Sequence, residues 1–447
     1  MSQKRGNFTS SLGFILAAAG SAIGLGNLWK FPYVAGNNGG GLFFLLFIVF
    51  TLILGVPIIL AEMAIGRKTK LSTVGAYKSL NKNWAFVGGI GVLCSFIILS
   101  YYSVVGGWVL KYIFTYLTGA NFGASKPGYF QEFIKNPVEP AVWHLIFMGI
   151  CAVIILGGVV KGIEQASKIM LPGLFILIII IAIRSVTLDG AVEGLKFLFI
   201  PNLEIFNSFS HLANTIASAM GQVFFSLSLG LGITITYGSY LKKDSNLQKN
   251  TVFIVGADTL IAIFSGLTVL PAVFAFGFKP TSGPGLIFET LPAVFESMPF
   301  GAIFGLLFFI LVFFAAATSA MALLEVVAAF FIDNFGWKRK KATLLMASIM
   351  AVIGIFVSLS MGRLEHIHIF GLTLFDAMGF LTDKILMPIA AMLMCIFVGY
   401  VLGTEPLAEE IECGAKGFKL KKVFSIIIKY VAPILILIIF VMGLLPQ

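Results

Sequence analysis

Asn27 and Lys30 lie in the stretch "GSAIGLGNLWKFPY", Gly20 to Tyr33, which is otherwise apolar enough to cross lipid. Gly24, Gly26 and Pro32 crowd the same few positions. Gly20 and Gly24 alone read as a small-xxx-small packing pair. The polar residues argue for more, because an intramembrane polar group is costly unless it faces a cavity or a partner. A similar interruption recurs as "GQVFFSLSLGLG", Gly221 to Gly232. A helix unwound at such a place frees carbonyls to coordinate a cation and leaves half-helix N–H groups for an anion, which lipid tolerates only beside a cavity. The chemistry implied is binding, with no covalent step. Three of the four histidines (His211, His366 and His368) fall in predicted external segments, and none has metal-ligand spacing, which argues against an enzyme.

The elements that position these residues follow from composition. Of 447 residues, 59% are hydrophobic and 11% charged, against about a quarter charged in soluble domains. The chain reads as an all-α polytopic membrane protein. Apolar runs long enough for a hydrocarbon core of roughly 30 Å are α1 9–36, α2 41–66, α3 85–116, α4 142–160, α5 167–187, α6 212–240, α7 250–277, α8 300–331, α9 342–360, α10 371–401 and α11 423–445. These form one transporter domain, 1–447, in which the first ten helices are two five-helix repeats, 9–187 and 212–401, followed by an extra helix, 423–445. The interruptions then hold equivalent places in α1 and α6, the pattern of a midplane site in an inverted-repeat transporter.

The net charge of +10 does not call for nucleic acid. Lys and Arg fall in alternate loops, at Lys4 and Arg5, Arg67 to Lys82, Lys242 to Lys249, Lys338 to Lys341 and Lys416 to Lys422, as lipid topology requires. That bias places the N-terminus in the cytoplasm and, with eleven helices, the C-terminus outside. The first span continues to Tyr33 and ten more follow, against a cleaved signal peptide. Cys94, Cys151 and Cys395 fall inside helices and Cys413 in a cytoplasmic loop, which implies no extracellular disulfide.

Taken together, "GSAIGLGNLWKFPY", "NNGGGLFFL", "GQVFFSLSLGLG" and "FFAAATSA" resemble the neurotransmitter:sodium symporters, in particular the bacterial amino-acid transporters with the LeuT-like fold, in which broken helices bind the substrate. The resemblance covers α1 to α10 and implies a multi-pass protein of the bacterial cytoplasmic membrane that carries two sodium ions with an amino acid. It implies a first sodium held by the Ala22 carbonyl, Asn27, Ser226, Asp258 and the substrate carboxylate. A second would be held by the carbonyls of Gly20, Ile23 and Ala315 and the hydroxyls of Thr318 and Ser319. Such hard oxygen ligands suit an alkali cation, although Thr318 and Ser319 alone read as back-bonding to the preceding helical turn.

For the substrate, the resemblance implies that Leu25, Gly26 and Tyr102 receive the carboxylate, and Ala22, Phe225 and Ser226 the amino group. The side chain would meet Ile98, Phe225, Ser228, Leu231, Ser319 and Leu323. Amine-carrying relatives place an aspartate at the position of Gly24, so the expected substrate brings its own carboxylate. Leu231 stands where several relatives have phenylalanine, which leaves room for a large aliphatic or aromatic L-amino acid. Chloride-dependent relatives use a tyrosine and a serine where this chain has Phe47 and Ala262. No chloride is therefore expected; Asp258 would supply the negative charge, with the empty carrier returning a proton on it.

The gates follow the same pattern. Arg5, Asp333 and Tyr240 match a cytoplasmic gate, and Lys30 an external one whose usual acidic partner falls at Gly379, leaving Asp376 and Asp383 nearby. "GIEQASKIMLP", Gly162 to Pro172, matches a Gly-x9-Pro spacing at which α5 opens; Pro172 alone also reads as a plain kink. Glu62 either bonds the broken part of α6 or sits near the cytoplasmic interface. No obligatory protein partner is implied beyond the lipid bilayer. Two other readings share these residues: a proton-coupled transporter of the same fold, and an amino-acid sensor that does not transport.

Overall fold

A computed structural model describes residues 7–119, 121–202, 208–278 and 285–444. Among them there is no β-strand, only isolated bridges such as Gly40 with Pro201. Nine helices are long and apolar enough to span: α2 Gly41–Thr69, α3 Lys82–Leu117, α4 Glu139–Leu156, α5 Val159–Val186, α7 Leu247–Ala275, α8 Gly301–Phe335, α9 Arg339–Leu359, α10 Leu374–Val401 and α11 Lys421–Leu444. α1 is a tenth, in two pieces, Ser11–Ala22 and Gly26–Asn37, bent by 47°. The eleventh expected span, α6, is also divided, into Phe209–Ser226 and Ile233–Gly238.

Local chemistry fixes these ends. Ser10 caps α1 by accepting from Gly13 N at 3.0 Å, and Asn246 caps α7 by accepting from Lys249 N at 3.0 Å, the usual use of short polar side chains for orphan N–H groups. The α6 break needs left-handed backbone: Gly230 has φ +81°, Gly232 φ +76° and, without the freedom of glycine, Ser228 φ +53°. α8 is the central post. It packs on α3, α5, α9 and α1, and its small-residue run Ala315 to Ala317 is fully buried.

α5 departs from expectation. It begins at Val159, not 167, with a π-turn over Val159–Glu164, and then runs as continuous helix through Pro172. No opening lies at Pro172 in this structure. The irregular turn sits instead around Gly162, where a Cβ would collide with the Ile154 carbonyl oxygen. On the same side, Arg67 at the end of α2 is fully buried; its Nε donates to Glu410 Oε1 at 2.7 Å, tying the α10–α11 connection to α2.

Candidate functional site

The two breaks face one another at the centre, and neighbouring helices satisfy their free backbone groups. In α1, Asn27 Oδ1 accepts from Gly24 N at 3.2 Å, and Leu25 N donates to the Tyr102 hydroxyl at 3.2 Å. In α6, Gly230 N donates to Glu62 Oε1 at 3.0 Å, Ser95 donates to Leu231 O at 3.0 Å and Thr73 to Gly232 O at 2.9 Å. Glu62 is therefore buried against the α6 break, not placed at an interface. Gln222, which the sequence reading passed over, donates from α6 to Gly26 O at 2.8 Å and so joins the two breaks.

Between the breaks lies a small cavity. Of the expected substrate contacts, Ala22, Leu25, Gly26, Ile98, Tyr102, Phe225, Ser228, Leu231, Ser319 and Leu323 line it. Ser226 points away into the cluster described next. Ser21, Gly24, Ile233 and Met387 also line the cavity and were not anticipated. One end is polar, with the Tyr102 hydroxyl and the α1 backbone; the other is aliphatic. A Cβ on Gly24 would lie 2.6 Å from Ser319 Oγ and 3.1 Å from Tyr102 Oη, so no side chain fits there without displacing both hydroxyls.

Asn27, Ser226 and Asp258 form a fully buried cluster beside the cavity. Asn27 Nδ2 donates to Asp258 Oδ1 and to Ser226 Oγ, each at 2.8 Å, and the Ser226 hydroxyl lies 2.9 Å from both Asp258 oxygens. A carboxylate in such a place needs a compensating positive group. On the other flank of α1, Ser319 Oγ lies 3.2 Å from Ser21 O and 3.4 Å from Ile23 O. Thr318 is back-bonded to Phe314 O at 2.8 Å and Ala315 O at 3.1 Å, and the Cβ position of Gly20 is 3.3 Å from its Cβ. Ser319 thus faces carbonyls of the α1 break, and Thr318 stands beside Gly20 where α1 meets α8.

The profile of the sodium:neurotransmitter symporter family matches residues 5–123 and 132–446. The chain belongs to that family. It is 40% identical over 445 residues to YhdH, an uncharacterized sodium-dependent transporter of Bacillus subtilis (strain 168), covering 98% of this chain and 97% of that one. A sodium-dependent transporter of Haemophilus influenzae is 34% identical, with 99% of both chains covered. Among solved structures, MhsT in complex with L-phenylalanine superposes with a TM-score of 0.90 at 42% identity, over 98% of this chain and 100% of MhsT. The protein is a multi-pass, sodium-coupled transporter with the LeuT-like fold, and not an enzyme.

The surroundings of Lys30 in the symporter resolve a choice that the sequence left open. Lys30 Nζ pairs with Asp383 Oδ2 at 3.0 Å and stands 4.0 Å over the Phe225 ring. Asp376 instead accepts from Thr373 at 2.7 Å in the first turn of α10. Leu25, Tyr102 and Phe225 line both the central cavity and a vestibule of about 940 Å³ outside it, so they form the partition between the two. Phe47 and Ala262 are fully buried; the Phe47 ring packs on that of Phe31 at 5.2 Å, and neither side chain can bind an anion by hydrogen bonding.

Of the residues expected at a cytoplasmic gate, Arg5 lies outside the described residues. Asp333 accepts from Ser72 N at 2.7 Å, and Tyr240 donates to Glu325 Oε1 at 2.6 Å. Glu325, fully buried, takes a fork from Arg339 at 2.6 and 2.9 Å. Glu164, in the α5 π-turn, accepts from Thr9 N at 2.9 Å and from the Thr9 hydroxyl. Sequence reasoning missed both acids. Glu325 could have been found as a lone acid in the apolar run of α8, whereas Arg339 is hidden in a basic run that topology alone explains.

Proposed function

We propose that this symporter imports L-α-amino acids with large aliphatic or aromatic side chains, driven by two sodium ions and without chloride. The cavity between the α1 and α6 breaks carries the reading: its polar end offers Leu25, Gly26 and Tyr102 to a carboxylate, and its other end is aliphatic. Gly24 supports a substrate that brings its own anion, since an acidic side chain at that position would have to displace Ser319 and Tyr102. The L-phenylalanine complex of MhsT supports the same class. In this reading Asn27, Ser226, Asp258 and the Ala22 carbonyl hold one sodium, and Gly20, Ile23, Ala315, Thr318 and Ser319 the other. Lys30 with Asp383 closes the outer side, and Arg5, Asp333 and Tyr240 the inner. The repeats are 9–187 and 212–401, with the N-terminus in the cytoplasm and the C-terminus outside.

The test is uptake into proteoliposomes with sodium and proton gradients imposed separately. A sodium gradient alone should drive accumulation of L-leucine, L-phenylalanine or L-tryptophan, and their decarboxylated analogues should compete at least tenfold less well, the loss of one charge-assisted set of hydrogen bonds being worth about 1.5–3 kcal/mol. Equal competition by the amines would overturn the amino-acid reading; accumulation driven only by protons would overturn sodium coupling.

Leu231 provides a second measurement. It is buried in the cavity wall beside the left-handed turn of α6. Leu231→Phe fills the space and should reduce affinity for L-tryptophan by about tenfold while L-alanine changes little, since a methylene in an apolar pocket decides about 1–3 kcal/mol. Unchanged selectivity in competition assays removes Leu231 from the pocket.

A further inference from the structure

The central cavity has a wall that lies outside the α1, α3, α6 and α8 lining expected of it: Met387 of α10, almost fully buried. Its placement has a local cause. Residues Leu381–Leu386 form a π-turn, closed by the Met387 N–H donating to Thr382 O, five residues back. Pro388 follows and has no N–H to resume the ordinary ladder at once. A π-turn inserts one residue into a helix and rotates everything beyond it, and such turns concentrate at functional sites. Just past the turn Met387 lines the cavity, while Asp383, within the turn and four residues past the position expected for the gate acid, pairs with Lys30. Asp383 and Met387 also line one further external groove, of about 1640 Å³, so they share a face of α10.

The packing at this wall is backbone to backbone. A Cβ on Gly230 would lie 2.9 Å from Met387 O and 3.1 Å from Ala391 N, so α10 rests directly on the α6 break that presents Ser228 and Leu231. The aliphatic end of the cavity is thereby closed by Leu231 from one side and Met387 from the other. A thioether with three rotatable bonds can re-pack around ligands of different shape and makes favourable contacts with aromatic rings.

We propose that Met387 is a specificity-determining residue: its flexible side chain sets the upper size of the substrate side chain and lets one cavity take both aliphatic and aromatic members. The proposal rests on the amino-acid reading of the cavity. Equilibrium binding of L-tryptophan, L-leucine and L-alanine to the purified full chain in sodium tests it, with Met387→Leu as a near-isosteric control. Met387→Phe should weaken L-tryptophan by about tenfold or more relative to L-alanine, as crowding in an apolar pocket does. Met387→Ala should act in the opposite sense, weakening L-alanine and L-leucine more than L-tryptophan, and it carries the comparison alone if Met387→Phe does not fold. A uniform change for all three ligands, or an unchanged ratio in both variants, overturns the proposal. A wild-type protein that binds none of the three overturns the amino-acid reading itself, a result separate from any behaviour of the variants.

Discussion

Replacing chloride by gluconate on both faces of proteoliposomes should leave sodium-driven uptake within about a factor of two, whereas Asp258→Ala should abolish it. Two sodium ions and a zwitterion would bring a net charge of +2 into a site of low dielectric, where unit charges interact far more strongly than in water. Asp258 is fully buried, held at 2.8 Å by Asn27 and 2.9 Å by Ser226. In the proposed reading it is the fixed anion that such a load requires. Phe47 and Ala262 leave a mobile anion without hydroxyl donors at those two positions. Removing one member of a buried charge pair costs about 3–5 kcal/mol, which is a loss of several hundred-fold or more in sodium affinity. Asp258→Asn keeps the shape and hydrogen bonds but not the charge, so sodium half-saturation should rise by about a hundredfold, with any return of protons in the empty carrier lost as well. The measurements are sodium titration of substrate binding and internal pH during exchange. A large loss of wild-type uptake in gluconate would sink the chloride claim; an Asp258→Asn protein with unaltered pH dependence would sink the proton claim.

The broken helices were legible because their residues conflict with lipid. Gly24, Asn27, Lys30 and Pro32 have no reason to share one apolar span unless the backbone opens, and the same logic marks Gly230 and Gly232. Where a residue conflicts with nothing, the sequence is silent. Met387 is one apolar residue among many in α10, and nothing in the sequence marks it as the one that lines the cavity. The acid that pairs with Lys30 is likewise found at 383 and not at 379. The boundary of α5 was misplaced for a related reason. Lys161 and Glu164 look like loop charges, which puts the expected start at 167, yet Glu164 is buried on the Thr9 backbone and paired with Lys168 at 2.7 Å. Arg67 and Glu410 are the extreme case: each reads as a solvated cytoplasmic charge, and together they are buried because each satisfies the other.

Thr318→Val combined with Ser319→Ala should raise the sodium concentration for half-maximal uptake by at least tenfold and reduce the steepness of the sodium dependence. In the seam between α1 and α8, Ser319 Oγ reaches two carbonyls at the α1 break, Ser21 O and Ile23 O, and thereby holds helix 8 to the unwound segment. Thr318 stands against Gly20, where the α1 backbone has no side chain to separate it from the hydroxyl. Hydroxyl and carbonyl oxygens converging from two helices make a neutral, hard cage suited to an alkali ion. The competing account is that Thr318 only back-bonds within α8, as its contacts to Phe314 O and Ala315 O allow. The double variant separates the two, because valine and alanine keep the volume roughly constant while removing both side-chain ligands. A helix that merely lost back-bonds would transport with wild-type sodium dependence. Thr318→Val alone discriminates further: Ser319 also lines the central cavity, so its loss shifts substrate affinity as well, whereas Thr318→Val should change the sodium response with substrate affinity at saturating sodium held within about twofold. Wild-type sodium dependence in the double variant would remove these two hydroxyls from the ion path and leave Asn27, Ser226 and Asp258 as the coupling site.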